Sequence, residues 1–310
     1  MPEPLPGKSG WPWTVSPEPL PVTMPDGSHW PKITVVTPSF NQGQFIEETI
    51  RSVLLQGYPN LEFIIVDGGS TDNSIEIIKK YEPWLAYWVS EPDRGQSHAV
   101  NKGIQKATGD ILFWLNSDDL ALPGAFHTVA DKFHHNPESS IISGQAYIIN
   151  GDREVIGSLK SYFISWEELA TSPRNHIRQI STFFYRLLFE ECGYLNEDLH
   201  ISMDTELIVR LTKNHPPLVI QESLTAFRTH HEAKTASRLI EGYLETDRVR
   251  PQILETKELH NRYKFNSAMN WISLAELETQ RWRIRKSLLL RALKLYPKVI
   301  TKHRFWMSIT

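Results

Sequence analysis

The stretch Gly109–Leu120 reads Gly-Asp-Ile-Leu-Phe-Trp-Leu-Asn-Ser-Asp-Asp-Leu, an apolar run that ends abruptly in four polar residues. An apolar run of this length is typical of a strand that is buried on both faces of a parallel sheet. Its carboxyl end therefore carries the acidic cluster to the edge of the sheet, where ligands bind. Oxygen ligands at such an edge suit Mg²⁺ or Mn²⁺, although two adjacent carboxylates after a strand also fit a helix cap or a solvated turn.

Strands and helices alternate before this run. The pattern predicts strands over Ile33–Thr37, Leu61–Val66, Ala86–Val89 and Ile111–Leu115, and helices over Phe45–Leu55, Ser74–Tyr81 and His98–Ala107. This alternation predicts an α/β fold with a mostly parallel sheet that is flanked by helices. After Pro123 the pattern loosens into a mixed region whose strand-like segments are Ser140–Ile149, Phe183–Tyr185 and Leu218–Ile220.

The chain divides into three predicted parts. Residues 1–31 hold nine prolines and the Trp11-Pro12-Trp13 cluster, which predicts an extended arm that lies along the body through its tryptophans. Residues 32–237 form the predicted α/β domain, with a change of pattern near residue 125. Residues 238–310 are predicted to be a helical, basic extension.

Composition predicts a soluble cytoplasmic protein. The 310 residues are 40% hydrophobic, and no apolar stretch reaches the roughly 18 residues that a membrane-spanning helix needs. The N-terminus lacks the pattern of a signal peptide. The single cysteine, Cys192, excludes an intramolecular disulfide and a cysteine-rich zinc site, as expected in a reducing compartment.

Charge is distributed unevenly. Residues 281–310 contain nine Lys or Arg and no Asp or Glu, whereas the preceding residues carry 24 basic and 36 acidic groups. Large apolar residues are interleaved with these charges, among them Trp282, Leu288, Leu289, Leu290, Leu293, Leu295 and Trp306. The pattern is typical of an amphipathic helix on an anionic membrane surface, and it also fits a helix packed on its own domain with a solvated basic face. We expect peripheral membrane contact through this segment and no nucleic-acid partner.

Three loops follow predicted strands at the edge where parallel sheets bind ligands. They are Thr37–Asn41, Asp67–Asp72 and Asn116–Asp119. The second loop has two glycines that allow close approach of the backbone to a ligand, and a carboxylate that can accept hydrogen bonds from it. Because the chain has neither Gly-x-Gly-x-x-Gly nor a Gly-Lys-Ser/Thr phosphate loop, dinucleotide binding and P-loop chemistry are disfavoured.

Taken together, these segments resemble the family 2 glycosyltransferases. The motifs that match in order and spacing are Thr37–Asn41, Val66–Asp72, Glu91–Gly95, Asn101–Gly103, Ala107–Asp110 and Leu115–Asp119. The resemblance is dense over residues 32–125 and thinner to residue 237. It implies a GT-A fold, a nucleotide-diphospho-sugar donor, Mn²⁺ or Mg²⁺, and transfer with inversion. Residues 32–125 would then bind the nucleotide-sugar and residues 126–237 the acceptor.

The resemblance also implies a donor pocket. Its residues would be Pro38, Ser39, Phe40, Asp67, Asp93, Arg94, Asn101 and Asn116. Asp67 would face the base or ribose, and Arg94 the diphosphate. Gly68 departs from the many members that carry a carboxylate there to contact uracil, so the resemblance favours a UDP-sugar but leaves the base open.

Metal and catalytic residues follow from three further matches. Asp118 stands at the metal-binding carboxylate of the family's Asp-x-Asp motif, with Asn116 replacing the first Asp. Arg228–Thr235 is similar to an Arg-x-His-x-x-Ser-Lys-Thr pattern that makes His230 a metal ligand or diphosphate contact, although the adjacent His231 leaves the register uncertain by one. Asp204 matches the general base, which takes the proton from the acceptor hydroxyl.

Two other function classes remain open on the sequence. A sugar nucleotidyltransferase shares this type of sheet and metal, but its first loop usually has a basic residue that clamps a triphosphate, and Pro38–Gly43 has none. A non-catalytic carbohydrate-binding protein would keep the pocket without needing Asp118 and Asp204. The expected function is a glycosyltransferase of bacterial cell-surface or exopolysaccharide synthesis, acting on a glycan or lipid-linked acceptor.

Overall fold

A computed structural model describes residues 1–230, 238–278 and 282–301, without the side chains of Trp282 and Ile300. The chain forms two compact units. The first comprises residues 1–163 and 176–237, and the second comprises residues 164–175 and 238–310. His231, which the sequence left as an alternative to His230, lies outside the described residues.

The described residues of the first unit form a sheet of nine strands. These are β1 Ile33–Ser39, β2 Leu61–Asp67, β3 Tyr87–Ser90, β4 Ile111–Trp114, β5 Leu120–Ala121, β6 Ile141–Ile149, β7 Val155–Leu159, β8 Thr182–Tyr185 and β9 Leu218–Arg228. The strand order is β3-β2-β1-β4-β8-β6-β9-β5, and β7 pairs with β6. The strands β3, β2, β1 and β4 are mutually parallel, which confirms the prediction for the N-terminal half. The later strands form the mixed region, in which β8 is antiparallel to both of its neighbours.

The described residues form ten α-helices. They are α1 Ile46–Leu54, α2 Ser74–Tyr81, α3 Gln96–Lys106, α4 Ala125–His135, α5 Trp166–Thr171, α6 Leu187–Cys192, α7 Met203–Leu211, α8 Leu239–Ile253, α9 Lys257–Leu277 and α10 Trp282–Leu295. Short 3₁₀ turns cover Glu82–Trp84, Gln179–Ser181 and Pro297–Thr301. The helices α1 to α3 lie where the hydrophobic periodicity predicts them.

The core of the first unit lies between the parallel strands and the helices beside them. In α1 the apolar residues Ile46, Ile50 and Val53 recur every three or four positions and are fully buried against the sheet. Every residue of β1 and β4 is buried, as the apolar run of β4 predicts. This burial fixes the strand positions, so the loops at their carboxyl ends start from a rigid base.

Two strand boundaries differ from the sequence prediction and matter for the site. β1 extends to Ser39 and pairs it with Asp67 at the end of β2, so both residues belong to the sheet rather than to loops. β9 continues to Arg228, well past the predicted end at Ile220. The polar residues after Ile220 break the apolar pattern, but backbone pairing with β6 holds the strand through to Arg228.

The proline-rich arm, residues 1–31, packs on the first unit as the tryptophan cluster predicts. Trp13 is 3% exposed. The Arg51 side chain of α1 donates hydrogen bonds from Nε to the carbonyl of Pro12 at 3.1 Å and from Nη2 to that of Trp13 at 3.2 Å. The arm is therefore hydrogen-bonded to α1 through its backbone.

The second unit is helical and has its own core. Leu288 and Leu289 of α10 are buried together with residues of α9 such as Trp271 and Ile272. This burial corrects the expectation that these two leucines lie on a membrane surface, whereas Leu290 is 55% exposed. A basic face remains, formed by the exposed side chains of Arg283, Lys286, Lys294 and Lys298.

Other parts of the basic segment are paired or lie outside the described residues. Arg291 forms an ion pair with the buried carboxylate of Asp247 at 3.4 Å and lies over the Trp271 ring. Arg281, Lys302, Arg304 and Trp306 lie outside the described residues. None of the helices in the described part of the chain combines the length and the apolar character that crossing a bilayer requires.

Candidate active site

The loops after β1 and β2 are joined by hydrogen bonds. Asn41 adopts a left-handed conformation with φ of 52°, which Asn tolerates better than most residues. Its Oδ1 accepts a hydrogen bond from the amide of Thr71 at 2.9 Å, and its own amide donates to Oγ of Ser70 at 2.7 Å. The amide of Gly43 donates to Asp72 at 2.8 Å. The first two predicted loops therefore form one rigid wall.

Asp67 is fully buried at the end of β2, and its carboxylate organises the turn that follows. It accepts hydrogen bonds from the amides of Gly69 and Ser70 and from the hydroxyls of Ser70 and Ser90, at 2.6 to 3.1 Å. Both oxygens are thus used within the chain. The adjacent Ser39 is 3% exposed, and its buried hydroxyl has no hydrogen-bond partner among the described residues.

Gly68, Asp93 and Phe40 lie close together after the end of β2, at the end of the site that we call the Gly68 end. A Cβ atom on Gly68 would lie 2.6 Å from Oδ2 of Asp93 and 3.4 Å from the ring of Phe40. Asp93 is anchored through Oδ1, which accepts a hydrogen bond from the amide of Gly95 at 2.7 Å. Phe40 is 58% exposed, as a ring is when it forms the wall of an open pocket.

Arg94 and Asn101 both contact the loop that precedes α7. Arg94 forms an exposed ion pair with Glu197. Asn101 is buried, donates through Nδ2 to the carbonyl of Leu195 at 3.0 Å and to Glu197 at 3.1 Å, and accepts from the Leu195 amide at 3.0 Å. The Asn101 amide therefore holds this loop through both its oxygen and its nitrogen.

Asn116 is similarly engaged at the end of β4. Its Oδ1 accepts hydrogen bonds from Nε2 of Gln96 at 2.8 Å and from Nε1 of Trp114 at 2.9 Å. Its Nδ2 donates to the carboxylate of Asp119 at 3.2 Å. Asn116 thus links α3 to the acidic cluster. An aspartate at position 116 could accept the hydrogen bonds from Gln96 and Trp114, but it could not donate to Asp119 because an ionised carboxylate has no donor.

Asp118 and His230 lie together, although they are 112 positions apart in the sequence. Oδ2 of Asp118 is 2.9 Å from Nε2 of His230. Their side chains are 22% and 9% exposed, so the pair faces the site from a mostly buried position. The Nδ1 atom of His230 is buried without a partner among the described residues, and the ring packs on Phe45.

Behind this pair lies a fully buried arginine, Arg228. Its amide donates to Oδ1 of Asp119 at 2.9 Å, its Nε to the carbonyl of Asp118 at 2.8 Å, and its Nη2 to Glu48 at 2.6 Å. Asp119 is also buried, and burial together with the Asp118 carboxylate raises its pKa well above the ordinary value. Asp119 therefore supports the loop from behind, while Asp118 faces the site.

The pair of Asp118 and His230 fits a divalent cation. Two ligands on adjacent vertices of an octahedron with bonds of about 2.1 Å lie about 3 Å apart, close to the 2.9 Å between Oδ2 and Nε2. Carboxylate oxygen suits Mg²⁺ and Mn²⁺, and an imidazole nitrogen is an ordinary partner in transition-metal sites. The donor set and its spacing thus agree with the metal that the resemblance implies.

Asp204 lies in the first turn of α7, where its Oδ1 accepts a hydrogen bond from the Thr205 amide at 2.7 Å. Burial raises the pKa of this carboxyl above its ordinary value, against the opposing effect of the Thr205 hydrogen bonds and the Arg178 guanidinium. The nearby Glu206 is committed to Arg210, whose Nε donates to it at 2.7 Å. Asp204 is therefore the better-placed proton acceptor of this turn.

The loop before α7, which leads into Asp204, is held by hydrogen bonds from α3. The Ser97 hydroxyl of α3 donates to the carbonyl of Leu199 at 3.1 Å, and Asn101 holds Leu195 in the same loop. The turn Gln179–Ser181 contacts α7, and Gln179 donates to the carbonyl of Trp114 at 2.7 Å, just before the acidic cluster. These contacts tie the loop before α7 to the N-terminal half of α3, and the turn that contacts α7 to the end of β4.

Sequence reasoning missed several residues that shape the site, namely Glu48, Gln96, Gln179 and Arg228 as a buried anchor. Gln96 and Gln179 lie in segments without a distinctive pattern, and only the packing of α3 and the 179–181 turn brings them to β4. Glu48 stands in the first turn of α1, where an acidic residue is common for helix stability. The same turn also contains Glu47 and Thr49, so residue type alone does not distinguish Glu48 as a buried residue.

Comparisons with known proteins agree with this geometry. A model of the family described as Glycosyl transferase family 2 matches residues 34–190. A Mycobacterium tuberculosis protein named as an uncharacterized glycosyltransferase is 29% identical over 245 residues, which are 76% of this chain and 86% of the relative. The poly-beta-1,6-N-acetyl-D-glucosamine synthase of Staphylococcus aureus is 26% identical over 176 residues, which are 54% of this chain and 42% of the relative.

Solved structures share the fold at low sequence identity. S. aureus TarS 1–349 in complex with UDP-GlcNAc superposes with a TM-score of 0.65 and 17% identity, covering 84% of this chain and 79% of that one. The mannosyltransferase PcManGT from Pyrobaculum calidifontis, in complex with GDP-Man and Mn²⁺, gives a TM-score of 0.55 at 20% identity over 96% and 88% of the two chains. The predicted GT-A fold is thereby confirmed. Because the family model matches about half of the chain, this protein belongs to glycosyl transferase family 2.

Proposed function

We propose that this glycosyltransferase is metal-dependent and moves a sugar, with inversion, from a nucleotide-diphospho-sugar to an acceptor hydroxyl. The observation that carries the proposal is the 2.9 Å contact between Asp118 and His230 at the carboxyl end of β4. When bound between them, Mn²⁺ or Mg²⁺ would supply positive charge to the departing diphosphate. The chain's own part is to hold one carboxylate and one imidazole at the spacing of adjacent metal ligands.

The donor would lie against the wall formed by the first two loops. Pro38, Ser39 and Phe40 offer a buried hydroxyl and an exposed ring at the end of β1. Asp93 offers its Oδ2 atom beside Gly68, where it can accept hydrogen bonds from a base or ribose. Asp67, Asn101 and Asn116 act as positioning residues, since their polar atoms are already engaged within the chain.

Arg94 would contact the diphosphate after leaving Glu197. The Arg94 side chain is 68% exposed, so its ion pair contributes little to stability and can be exchanged for a phosphate. A UDP-sugar is the favoured donor. TarS has been solved with UDP-GlcNAc and with UDP, whereas PcManGT was solved with GDP-Man, so the choice of base is a matter for experiment.

Asp204 would serve as the general base. Its burial raises the pKa, which brings the carboxylate closer to the basicity that proton removal from a hydroxyl requires. Inversion needs this base on the face of the sugar opposite the leaving diphosphate. A glycan or lipid-linked hydroxyl is the expected acceptor.

The relatives favour a role in bacterial cell-surface polysaccharide synthesis, because one of them is named as a poly-beta-1,6-N-acetyl-D-glucosamine synthase. Neither the family match nor these relatives favour a sugar nucleotidyltransferase or a non-catalytic carbohydrate-binding protein. We place the enzyme in the cytoplasm, where nucleotide-sugars would be its donors. Contact with the inner face of the membrane would rest on the basic face of α10.

Hydrolysis of candidate donors tests this function directly. Purified protein would be incubated with UDP-GlcNAc, UDP-glucose and GDP-mannose, with Mn²⁺, with Mg²⁺ or with EDTA, and release of the nucleoside diphosphate would be measured. We expect release from one donor that depends on the cation and is lost in Asp118→Ala. Release that is equally fast in EDTA would contradict metal dependence, and calorimetry that detects no nucleoside diphosphate binding would contradict the donor site.

A further inference from the structure

The arm reaches the acidic end of the site through two tryptophans. Nε1 of Trp13 donates a hydrogen bond to Oε1 of Glu48 at 3.1 Å, and Nε1 of Trp11 donates to the carbonyl of Ala121 at 2.9 Å. Lys8 adds an ion pair with the same Glu48 oxygen at 3.3 Å. The arm thus contacts both α1 and the strand β5 that follows the acidic cluster.

Glu48 connects the arm to Arg228. Its side chain is 7% exposed, and its Oε2 pairs with Nη2 of Arg228 at 2.6 Å. A buried ion pair is favourable only when the remaining lone pairs and protons of both groups are satisfied. Trp13 and Lys8 satisfy Oε1, so the arm completes the hydrogen bonding of this pair.

Arg228 in turn contacts the backbone of Asp118 and packs on the same ring as His230. It donates from Nε to the carbonyl of Asp118 at 2.8 Å. Its guanidinium lies 4.8 Å from the centre of the Phe45 ring, and the His230 ring lies 4.7 Å from the same ring on which it packs. The position of the guanidinium therefore influences the backbone of Asp118 directly and the packing of the His230 ring through Phe45.

We propose that the arm supports the metal site. Trp13 and Lys8 position the Glu48–Arg228 pair and thereby set the spacing of Asp118 and His230. Trp13, Lys8 and Glu48 are positioning residues, since they touch neither of the two ligand atoms. This inference rests on the proposed function, because it requires a cation at Asp118 and His230. The family match begins at residue 34, so the arm lies outside it.

The physical reason is that groups behind the ligands tune a metal site. Residues that hold ligands in place change metal affinity by about 10- to 100-fold when they contact the ligands directly. Trp13 acts one step further back, through Glu48 and Arg228, so we expect a smaller effect of about fivefold. The effect concerns the cation more than the nucleotide, because the arm contacts described above reach β5 and Glu48 rather than the Gly68 end.

The test compares two tryptophans of the arm. Trp13→Phe removes the indole N–H that reaches Glu48 and keeps an aromatic ring. Trp30→Phe is the matched control, because Trp30 is also 3% exposed and its Nε1 donates to the carbonyl of Pro21 within the arm. Mn²⁺ binding in the presence of saturating UDP or GDP would be followed by the loss of the free-ion EPR signal, with thermal unfolding measured in parallel.

We expect Trp13→Phe to raise the Mn²⁺ dissociation constant about fivefold and Trp30→Phe to leave it unchanged at a comparable melting temperature. Equal Mn²⁺ affinity of both variants and the wild type would overturn the inference, because the tryptophan would then be only a structural contact. Lys8→Met provides a second variant that is milder, since the lysine side chain is 45% exposed. Lys8→Met should raise the dissociation constant by about twofold. If neither Trp13→Phe nor Lys8→Met changes the Mn²⁺ dissociation constant, the proposed role of the arm is wrong.

The wild type separates this inference from the proposed function. If the wild-type protein together with the nucleotide removes no more free Mn²⁺ than the nucleotide alone, the proposed metal site itself fails. If the wild type binds and only the Trp13 and Lys8 variants weaken, both statements stand. If the wild type binds and these variants match it, the proposed function stands and the role of the arm is rejected.

Discussion

The carboxylate of Asp93 occupies the space in which a side chain on Gly68 would begin, 2.6 Å from the position of its Cβ atom. Many members of the family carry a carboxylate at the position of Gly68. In this chain Asp93 brings a carboxylate oxygen to the same place from the loop before α3, anchored by the amide of Gly95. A glycine at position 68 and an aspartate at position 93 are thus parts of one arrangement.

We predict that Asp93→Asn weakens nucleoside diphosphate binding by about tenfold and leaves the dependence on Mn²⁺ intact, because only the Gly68 end loses an anionic acceptor. Gly68→Ala should have a similar effect, since the new methyl group displaces the carboxylate. Calorimetric titration with UDP and with GDP measures both. Glu91→Gln, an exposed change in the same loop, is the control. Wild-type affinity in Asp93→Asn would exclude Asp93 from the donor site.

A second prediction concerns Asp118. Asp118→Ala should abolish the Mn²⁺-dependent part of nucleoside diphosphate binding while the protein stays folded, because Arg228 holds the backbone of residue 118 rather than its side chain. Titration with and without Mn²⁺ and a melting curve would check both parts. Asp131→Ala, on the exposed face of α4, should bind like the wild type. An Asp118 variant with unchanged metal-dependent affinity would refute the assignment.

The base assignment predicts a split between binding and turnover. Asp204→Asn should keep donor binding and lose transfer by about 10²-fold or more, because an amide retains the shape but cannot accept a proton. Since burial raises the Asp204 pKa, the acid limb of the wild-type rate profile should lie at higher pH than for an exposed aspartate. Single-turnover rates at several pH values measure this. Near wild-type turnover by Asp204→Asn would rule it out as the base.

Acid stability should depend on Glu62. Burial alone would raise its pKa, but hydrogen bonds from Thr108, Thr34 and Lys32 prevail and lower the pKa from 4.5 to about 2. The folded state therefore binds its proton less readily than the unfolded state. The stabilisation, about 3 kcal/mol at most, is present above pH 4.5 and is lost as the pH falls toward 2.

Glu62→Gln should thus lower the free energy of unfolding at neutral pH. The decline of this free energy with falling pH, from pH 4.5 to the most acidic conditions in which the protein remains folded, should be less steep than in the wild type. Urea unfolding at a series of pH values would measure the slope. The exposed Glu76→Gln provides the comparison, because it leaves the Glu62 hydrogen bonds in place. Identical slopes in the wild type and Glu62→Gln would contradict the role of this carboxylate.

Membrane contact through α10 should be electrostatic. Because Leu288 and Leu289 are buried in the second unit, the basic face of α10 is left to act through charge, at roughly 1 kcal/mol per residue near an anionic surface. Replacing Arg283 and Lys294 of α10, together with Lys298 of the turn that follows it, by Gln should reduce co-sedimentation with phosphatidylglycerol vesicles, and salt should reduce it in the wild type. Replacing three other exposed lysines, Lys79, Lys80 and Lys257, serves as control. Equal pelleting of both triple variants would argue against a membrane role for α10.

The sequence alone determined the parallel half of the fold. Apolar runs such as Ile111–Leu115 can only be buried, and their alternation with amphipathic helices leaves few arrangements. The loops after β1, β2 and β4 are therefore assigned to one sheet edge by the order of the elements along the chain. The matching of Asp118 and His230 to a common site also followed from motif order, and the two side chains are in contact.

Only the tertiary structure decided which polar groups are left for a ligand. Asp67, Asn101 and Asn116 are of residue types that often contact ligands. In this structure, however, they form hydrogen bonds with Ser70, Leu195 and Gln96, respectively. The same holds for Glu48, which looks like an ordinary first-turn glutamate but lies buried against Arg228, 180 positions away. Local sequence sets residue type and element, whereas the partners of a polar atom depend on distant segments that packing brings together.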